Sequence, residues 1–423
     1  VRKEKDMSEA YYIGMDLCSD STQISFYNDI TREPETVNQL NNKETYMMPN
    51  ILFFGLETGE WYVGSEASEA RFKEQGIVLD ELFKNARSEE TVEVHNVRYS
   101  YRKLFLMMLK MHVDSFLYRY EGATVKKLVI TIPEYNKDLF RVLSTFYKEL
   151  GVEKNQVEIT SHLDSGLYYI FNQDESLRTN SVGLFDYNTE GLHYYRIDIS
   201  HGHELETISV THEDYSENFN LALFAGDNIL MDATFAKIVA AETKKTYISA
   251  IYLTGLGFSE KWLYKSRELL TQGRRVFAGQ NIYTKGACYK AVGGEYAEFY
   301  KRYFVETKEN VIYDVGISSE DEEDTFIPIA MGGRQWYNIH GKISIILDDT
   351  DSLVLVYRNR KTGEENREVV KLHGIPKRPN KTSKFSVEVE FENPHHGAFI
   401  IKDVGFGKLF PTTNKIYRKE FDV

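Results

Sequence analysis

Two stretches of the chain end an apolar strand on an aspartate and follow it with a small polar turn. The first is IGMDLCSDST, with Asp16 at the strand end; the second is VGLFDYNTEG, with Asp186 in the same place. A carboxylate so placed can hold a divalent cation through water. Amides and hydroxyls of the adjoining turn can face phosphate oxygens. Ser19, Ser21 and Thr22 supply such hydroxyls in the first turn, but Cys18 stands where close backbone approach would favour glycine. The second turn runs Asn188, Thr189, Glu190 before it reaches Gly191. A third glycine-bearing turn, TGLGF, puts Gly255 and Gly257 at a predicted strand-to-helix junction, where helix N-terminal amides can meet an anion.

Plainer readings stand beside these. An aspartate at a strand end is often only a turn residue. His201 and His203 are close in sequence but have no evident third metal ligand. Cys18 has no adjacent His or Lys to lower its pKa, so a reactive thiol is not indicated. The basic run KRPNK at 377–381 reads as a solvated turn.

The elements around these residues follow from periodicity. Residues 11–17 and 22–27 alternate as a hairpin, and 181–199 repeats the pattern. Strands are predicted at 50–55 and 61–64, and helices at 65–75 and 101–120, where methionines at helical spacing read as core. Residues 127–172 read as strand (127–133), helix (136–150), strand (156–160) and helix (162–172), the mark of parallel strands with crossover helices. A helix over 217–241, a strand over 248–255, a helix opening at Ser259 and one over 280–292 come next. The acidic run SSEDEED at 318–324 separates this part from strands divided by turns: KISIIL, LVLVYRN, REVVKLHG, FSVEVEFE and AFIIKDVG. Their spacing predicts an antiparallel β domain. The recurrence of the Asp-tipped hairpin suggests a duplicated lobe, with two hairpins facing each other across a cleft.

The 423 residues carry a net charge of -13, which disfavours nucleic acid and anionic membrane surfaces as partners. The 29 Tyr and 25 Phe favour strands and packed aromatic surfaces. Two distant cysteines make neither a disulfide framework nor a thiolate zinc site. The first ten residues have no apolar core of a signal peptide, and no apolar run is long enough to span a membrane, so a cytoplasmic protein is expected.

The order of these motifs resembles the DnaK-type heat-shock chaperones of the actin-like ATPase superfamily. IGMDLCSDST resembles their first phosphate loop. VKKLVITIPEYNKDLFR is the most specific match, and YMMPNILFF, WYVGSEASEA, IYLTGLGFSEKWL and YTKGACYKA follow the family's order. VVKLHGIPKRPNKTSKFSVEVEFE resembles the family's peptide-binding β domain; the helical lid has no counterpart here. The resemblance implies an α/β fold of duplicated actin-like ATPase lobes followed by an antiparallel β-sandwich of the substrate-binding type. Residues 1–10 would be a disordered N-terminus, 11–180 the first lobe, 181–305 a reduced second lobe, 306–324 a linker and 325–423 the β domain.

Carried over position by position, Asp16 and Asp186 match the two phosphate-loop aspartates, near which Mg2+ would sit through water with ATP or ADP. Ser19, Ser21, Thr22, Gly191, Gly255 and Gly257 match nucleotide-contacting turns. His162, followed by Asp164, takes the place of the family's glutamate, and Lys84 is the candidate for its lysine. Cys18 and Glu190 depart from the pattern. A carboxylate at ~4 Å from a phosphate charge costs about 4 kcal/mol at an effective dielectric of ~20. The resemblance implies that the subdomain that clasps adenine in the family is much reduced here, in the stretch between Asp186 and Gly255. These departures point to a degenerate ATP site, a weak or pseudo-ATPase, in a chaperone-like protein that binds a peptide or protein client through its β domain, with a co-chaperone as a further partner. An active ATPase with nucleotide-gated peptide binding and an actin-like assembly or scaffold protein are the alternatives.

Overall fold

A computed structural model of the chain describes residues 10–38, 46–120, 123–201, 205–224, 226–259, 261–293, 298–318, 325–348 and 350–423. The expected disordered N-terminus, most of the acidic run and His203 lie outside them. The chain forms two compact units, Val1–Arg196 with His212–Phe299, and Ile197–Thr211 with Tyr300–Val423.

The first unit contains two mixed sheets. In one, Ala10–Leu17 runs parallel to Thr124–Ile132, which runs parallel to Val157–Ser161. On its other side Ala10–Leu17 pairs antiparallel with Ser21–Asn28, which pairs with Glu33–Thr36. In the other sheet, Ser181–Asn188 runs parallel to Ile248–Thr254, which runs parallel to Arg275–Ala278. Its other neighbour is Gly191–His201, followed by Glu206–Asp214; those two strands belong to this unit only up to Arg196 and from His212. The two sheets thus share one strand order. Each also sets its aspartate beside a threonine of the parallel neighbour: Asp16 against Thr131, and Asp186 against Thr254.

Strand alternation sorts the side chains. Ile13, Met15 and Leu17 enter a core that includes Leu104, Phe105 and Met108 of the Tyr101–Tyr118 helix. Gly14 and Asp16 face the opposite side. There the Ile282–Gly293 helix lies so close that Thr284 Oγ1 donates to the Gly14 carbonyl at 3.1 Å. A methyl group on Gly14 would overlap the Thr284 carbonyl and the Cys288 amide. Phe185 and Tyr187 likewise enter the core of the second sheet, with Phe235 and Trp262, leaving Asp186 on the other face. The His162–Phe171 helix packs on the Ile282–Gly293 helix, where Gly286 lets it approach the Ser165 carbonyl. A buried ion cluster fastens the pair: Lys290 Nζ lies 2.7 Å from Asp164 Oδ2 and 3.1 Å from Glu158 Oε1, and Lys127 holds the other Glu158 oxygen at 2.7 Å.

The second unit packs two four-stranded sheets around one apolar core. One holds Phe326–Ala330, Tyr313–Ser318, Ser352–Asn359 and Glu365–Lys371; the other holds Gly341–Leu347, Ser383–Asn393, His396–Asp403 and Ile416–Asp422. All registers within them are antiparallel. The stretch expected as a linker supplies one of these strands, Tyr313–Ser318, and Val311 just before it is fully buried in the core. The β domain therefore takes in residues placed in the linker from sequence.

Several helices differ from expectation. No α-helix opens at Ser259: a 3-10 turn over Leu256–Phe258 is followed by an α-helix only at Lys265–Thr271, whose first amides bond to Asp232. The 136–150 helix breaks into Lys137–Leu143 and Phe146–Leu150, and 217–241 becomes Leu221–Phe224 and Asn228–Lys245. Asp227 caps the latter by accepting from the Leu230 amide at 3.0 Å. The helix expected over 65–75 ends at Ala70. Among the described residues no helix is long and apolar enough to cross a membrane.

Candidate functional site

Both aspartates open onto one narrow cavity of about 110 Å3 within the first unit. Asp16 lies at the end of its strand and Asp186 at the corresponding place on the second sheet. Between them come the first residue of one helix, His162, and the second residue of another, Tyr283. His162 Nε2 lies 2.7 Å from Asp16 Oδ1, and Tyr283 donates its hydroxyl to Asp186 Oδ2 at 2.8 Å. The imidazole and phenol stack with centroids 4.0 Å apart and planes 16° from parallel. Each aspartate is therefore bonded to one ring of a stacked pair. Helix N-termini also favour the negative charge held there.

The turns are arranged around this centre. Cys18 Sγ points at Asp16 Oδ1 from 3.8 Å. Its backbone is fixed twice: the Cys18 amide donates to the Ser21 carbonyl at 2.9 Å, and Asn50 Nδ2 donates to the Cys18 carbonyl at 2.8 Å. Asn188 Nδ2 reaches Asp186 Oδ1 at 3.4 Å. Gln23 crosses the cleft floor to donate to the Gln280 carbonyl at 3.1 Å. Its buried Oε1 has no partner among the described residues.

The residues singled out from sequence divide into two groups. Asp16, Asp186, His162, Ser19, Ser21 and Gly255 line the cavity, as do Cys18 and Glu190. Thr22 instead buries its hydroxyl against Asn50 Oδ1 at 2.7 Å. Gly191 packs on Ser216, and Gly257 packs on the Tyr187 ring, where a side chain would collide. Gly255, at φ 93°, passes directly over Asp186 and the Tyr187 carbonyl, a backbone shape that L side chains resist. Lys84 is exposed and paired with Glu81 at 3.3 Å, while its neighbour Phe83 lines the cavity. Tyr283 was not singled out from sequence. Its only signal there was its place in the first turn of a predicted helix.

A family model described as "Family of unknown function (DUF5716) C-terminal" matches residues 33–308, well over half of the chain. The chain belongs to this family. Residues 310–423 match a second model, "Domain of unknown function (DUF8552)". No curated protein matches the chain.

The electrostatics of the cavity are one-sided. Asp16, Asp20, Asp186 and Glu190 line it, and among the described residues no Lys or Arg does. Burial raises the Asp186 pKa, and Asp16 adds to that, against the lowering effect of His162, Tyr283 and His193. Burial likewise raises Tyr283, reinforced by Asp186. Cys18 is raised well above an ordinary thiol by burial, then by Asp16, Asp186 and Asp20. It is therefore a protonated thiol at neutral pH. Chemically, the cavity suits a cation or a hydrogen-bonding neutral group better than a bare polyphosphate. Asp16, Cys18 and His162 each offer a ligand atom within 4.8 Å of those of the other two.

Proposed function

We propose that this is a chaperone-like binding protein, with a duplicated actin-like scaffold in its first unit and a peptide-binding β-sandwich in its second. The observation that carries the scaffold half is the repeated sheet: the same strand order twice, with an Asp-tipped hairpin and an Asp–Thr register pair in each. Two such hairpins opening on one cavity are what the resemblance to DnaK-type chaperones implies. The same geometry argues against ATP turnover. The two aspartates are bonded to His162 and Tyr283, and the remaining lining charge is negative. A triphosphate would have to displace those rings and meet four carboxylates.

The binding half rests on the edge strand Glu365–Lys371, which pairs on one side only among the described residues. Its Val369 is exposed, and beside it runs a trough of about 690 Å3. Leu347, Leu372 and Phe385 contribute apolar lining to the trough, and Lys371 and Lys377 a basic rim, where Asp351 also sits and Lys381 is paired with Asp348 at 3.1 Å. An exposed edge accepts an extended peptide by main-chain pairing, with flanking pockets for side chains. The rim selects for acidic residues in that peptide.

Two measurements test this. Thermal or urea unfolding with and without Mg-ATP at millimolar concentration is expected to give no shift. A micromolar ligand would add about 4 kcal/mol, and such a shift would restore the ATPase reading. Fluorescence anisotropy with extended peptides carrying apolar and acidic residues is expected to show binding that Val369→Glu weakens. Equal binding by that variant would overturn the assignment of the edge.

A further inference from the structure

We propose that Asp16, Cys18 and His162 form a three-ligand site for a divalent transition-metal ion of the zinc class, with its fourth position open to the cavity. Zinc binds thiolate sulfur at about 2.3 Å, imidazole nitrogen at about 2.0–2.1 Å and carboxylate oxygen at about 2.0–2.2 Å, which sets tetrahedral ligand atoms roughly 3.3–3.7 Å apart. Cys18 Sγ and Asp16 Oδ1 are 3.8 Å apart, already near that spacing. Asp16 Oδ1 and His162 Nε2, at 2.7 Å, need to open by roughly 0.6–0.8 Å to exchange their shared hydrogen bond for metal bonds.

The ligands sit on stiff supports. Asp16 ends a central strand, His162 begins a helix and is stacked on Tyr283, and the Cys18 turn is tied to Ser21 and Asn50. Neighbours that fix a ligand's orientation tune metal sites strongly, and the Tyr283–Asp186 pair occupies that position here. A mixed thiolate, imidazole and carboxylate set selects zinc-class ions over Mg2+, which takes oxygen. Binding converts the thiol to thiolate and releases its proton to solvent. Thiolate and Asp16 then balance the two charges of the ion, and Asp186, Asp20 and Glu190 keep the surroundings favourable to a cation. All three ligands line the cavity, so water or a small donor can complete the coordination. Three protein ligands with one open position are the arrangement of reactive rather than purely structural zinc sites.

The test is a titration of the chelator-treated full chain with Co2+, read by its thiolate-to-metal charge-transfer band and visible d–d bands. One equivalent is expected to saturate both, and Zn2+ to displace the cobalt. Cys18→Ser is expected to abolish the charge-transfer band. His162→Asn should weaken cobalt binding by more than roughly tenfold, since even neighbouring groups of metal ligands change affinity that much. Cys288→Ala is expected to leave the band intact. A folded wild-type chain without a charge-transfer band overturns the proposal, as does a band that survives Cys18→Ser. Neither nucleotide nor peptide enters the measurement, so its result stands apart from the proposed function.

Discussion

His162 and Tyr283 lie face to face, 4.0 Å between centroids, and each ring bonds one of the two strand-end aspartates. The stack joins the two hairpins through side chains. It also explains why both carboxylates tolerate burial: Asp16 meets an imidazole, and Asp186 meets a hydroxyl. The rings come from the starts of the two helices packed between the sheets, so the contact depends on the seating of those helices.

Asp186 is expected to cost stability at neutral pH. Its folded-state pKa is raised, chiefly by burial. A carboxyl whose folded pKa lies above its unfolded one stabilises the fold below the unfolded value and loses that contribution as pH rises through the folded value. Asp186→Asn keeps the shape and an oxygen to accept from Tyr283, while removing the buried charge. The urea midpoint at pH 7 should therefore rise, and the gain should shrink as pH falls through the raised folded-state value and be gone once pH reaches the ordinary carboxylate range. A lowered midpoint at pH 7 would mean that the charge itself is needed by the fold. Asn at this position would then be worse than the cost it relieves.

His112 supplies a second pH signature, away from the cavity. It is buried on the Tyr101–Tyr118 helix, and burial lowers its pKa to about 4. Its Nε2 has no partner among the described residues. The unfolded chain binds this proton near pH 6.5 and the folded chain only near 4, so stability is lost as pH falls through that window. The full difference corresponds to about 3 kcal/mol. His112→Leu should remove that part of the slope. Unfolding midpoints of variant and wild type, compared at pH 7 and pH 4.5, read it directly, and parallel losses in both chains would refute it.

Much of this was legible in the sequence, for a physical reason. Both Asp-tipped hairpins appear where alternation placed them, because strands buried on one or both faces leave a period that survives without tertiary information. The β strands after 340 were legible for the same reason. The helix expected at Ser259 was not, because glycines at a strand end signal a turn without fixing the element after it. The His162–Tyr283 stack was invisible: the two residues are far apart in sequence, and only the approach allowed by Gly286 brings their helices together. Thr22, Gly191 and Gly257 show the converse. Residue type suggested ligand contacts, and packing gave each of them another partner.

The ion cluster between the helices should be costly to break. Lys290 is buried and lies within ion-pair distance of Asp164 and Glu158. Burial alone would raise the Glu158 pKa, but Lys290 and Lys127 outweigh it and bring it down to about 2. Lys290→Met leaves Asp164 buried without this cation, a change worth about 3–5 kcal/mol of lost stability. The wild type also loses the Glu158 contribution as pH falls from about 4.5 to about 2, since a depressed carboxyl stabilises above its unfolded pKa. With Lys290 gone, that acid-side slope should flatten, leaving only what Lys127 holds. Urea midpoints across pH 2–7 measure both effects. A variant as stable as the wild type at pH 7 would show that the cluster relaxes toward solvent.

Gly14 tests whether the site depends on how closely a helix approaches the first strand. Its Cβ would overlap backbone atoms of Thr284 and Cys288, which cannot rotate away as a side chain can. Gly14→Ala must therefore push the Ile282–Gly293 helix off the strand, at a cost of about 1–3 kcal/mol for overpacking. Tyr283 rides on that helix one residue before Thr284, so its hydroxyl should move with it and loosen its bond to Asp186. The expected result is a lowered unfolding midpoint together with a changed near-ultraviolet Tyr signal, and both should be larger than for Gly151→Ala. Gly151 adopts a positive φ but has open space around it, so the comparison separates backbone strain from helix displacement. If the two variants behaved alike, the close approach at Gly14 would not be what seats the stacked pair.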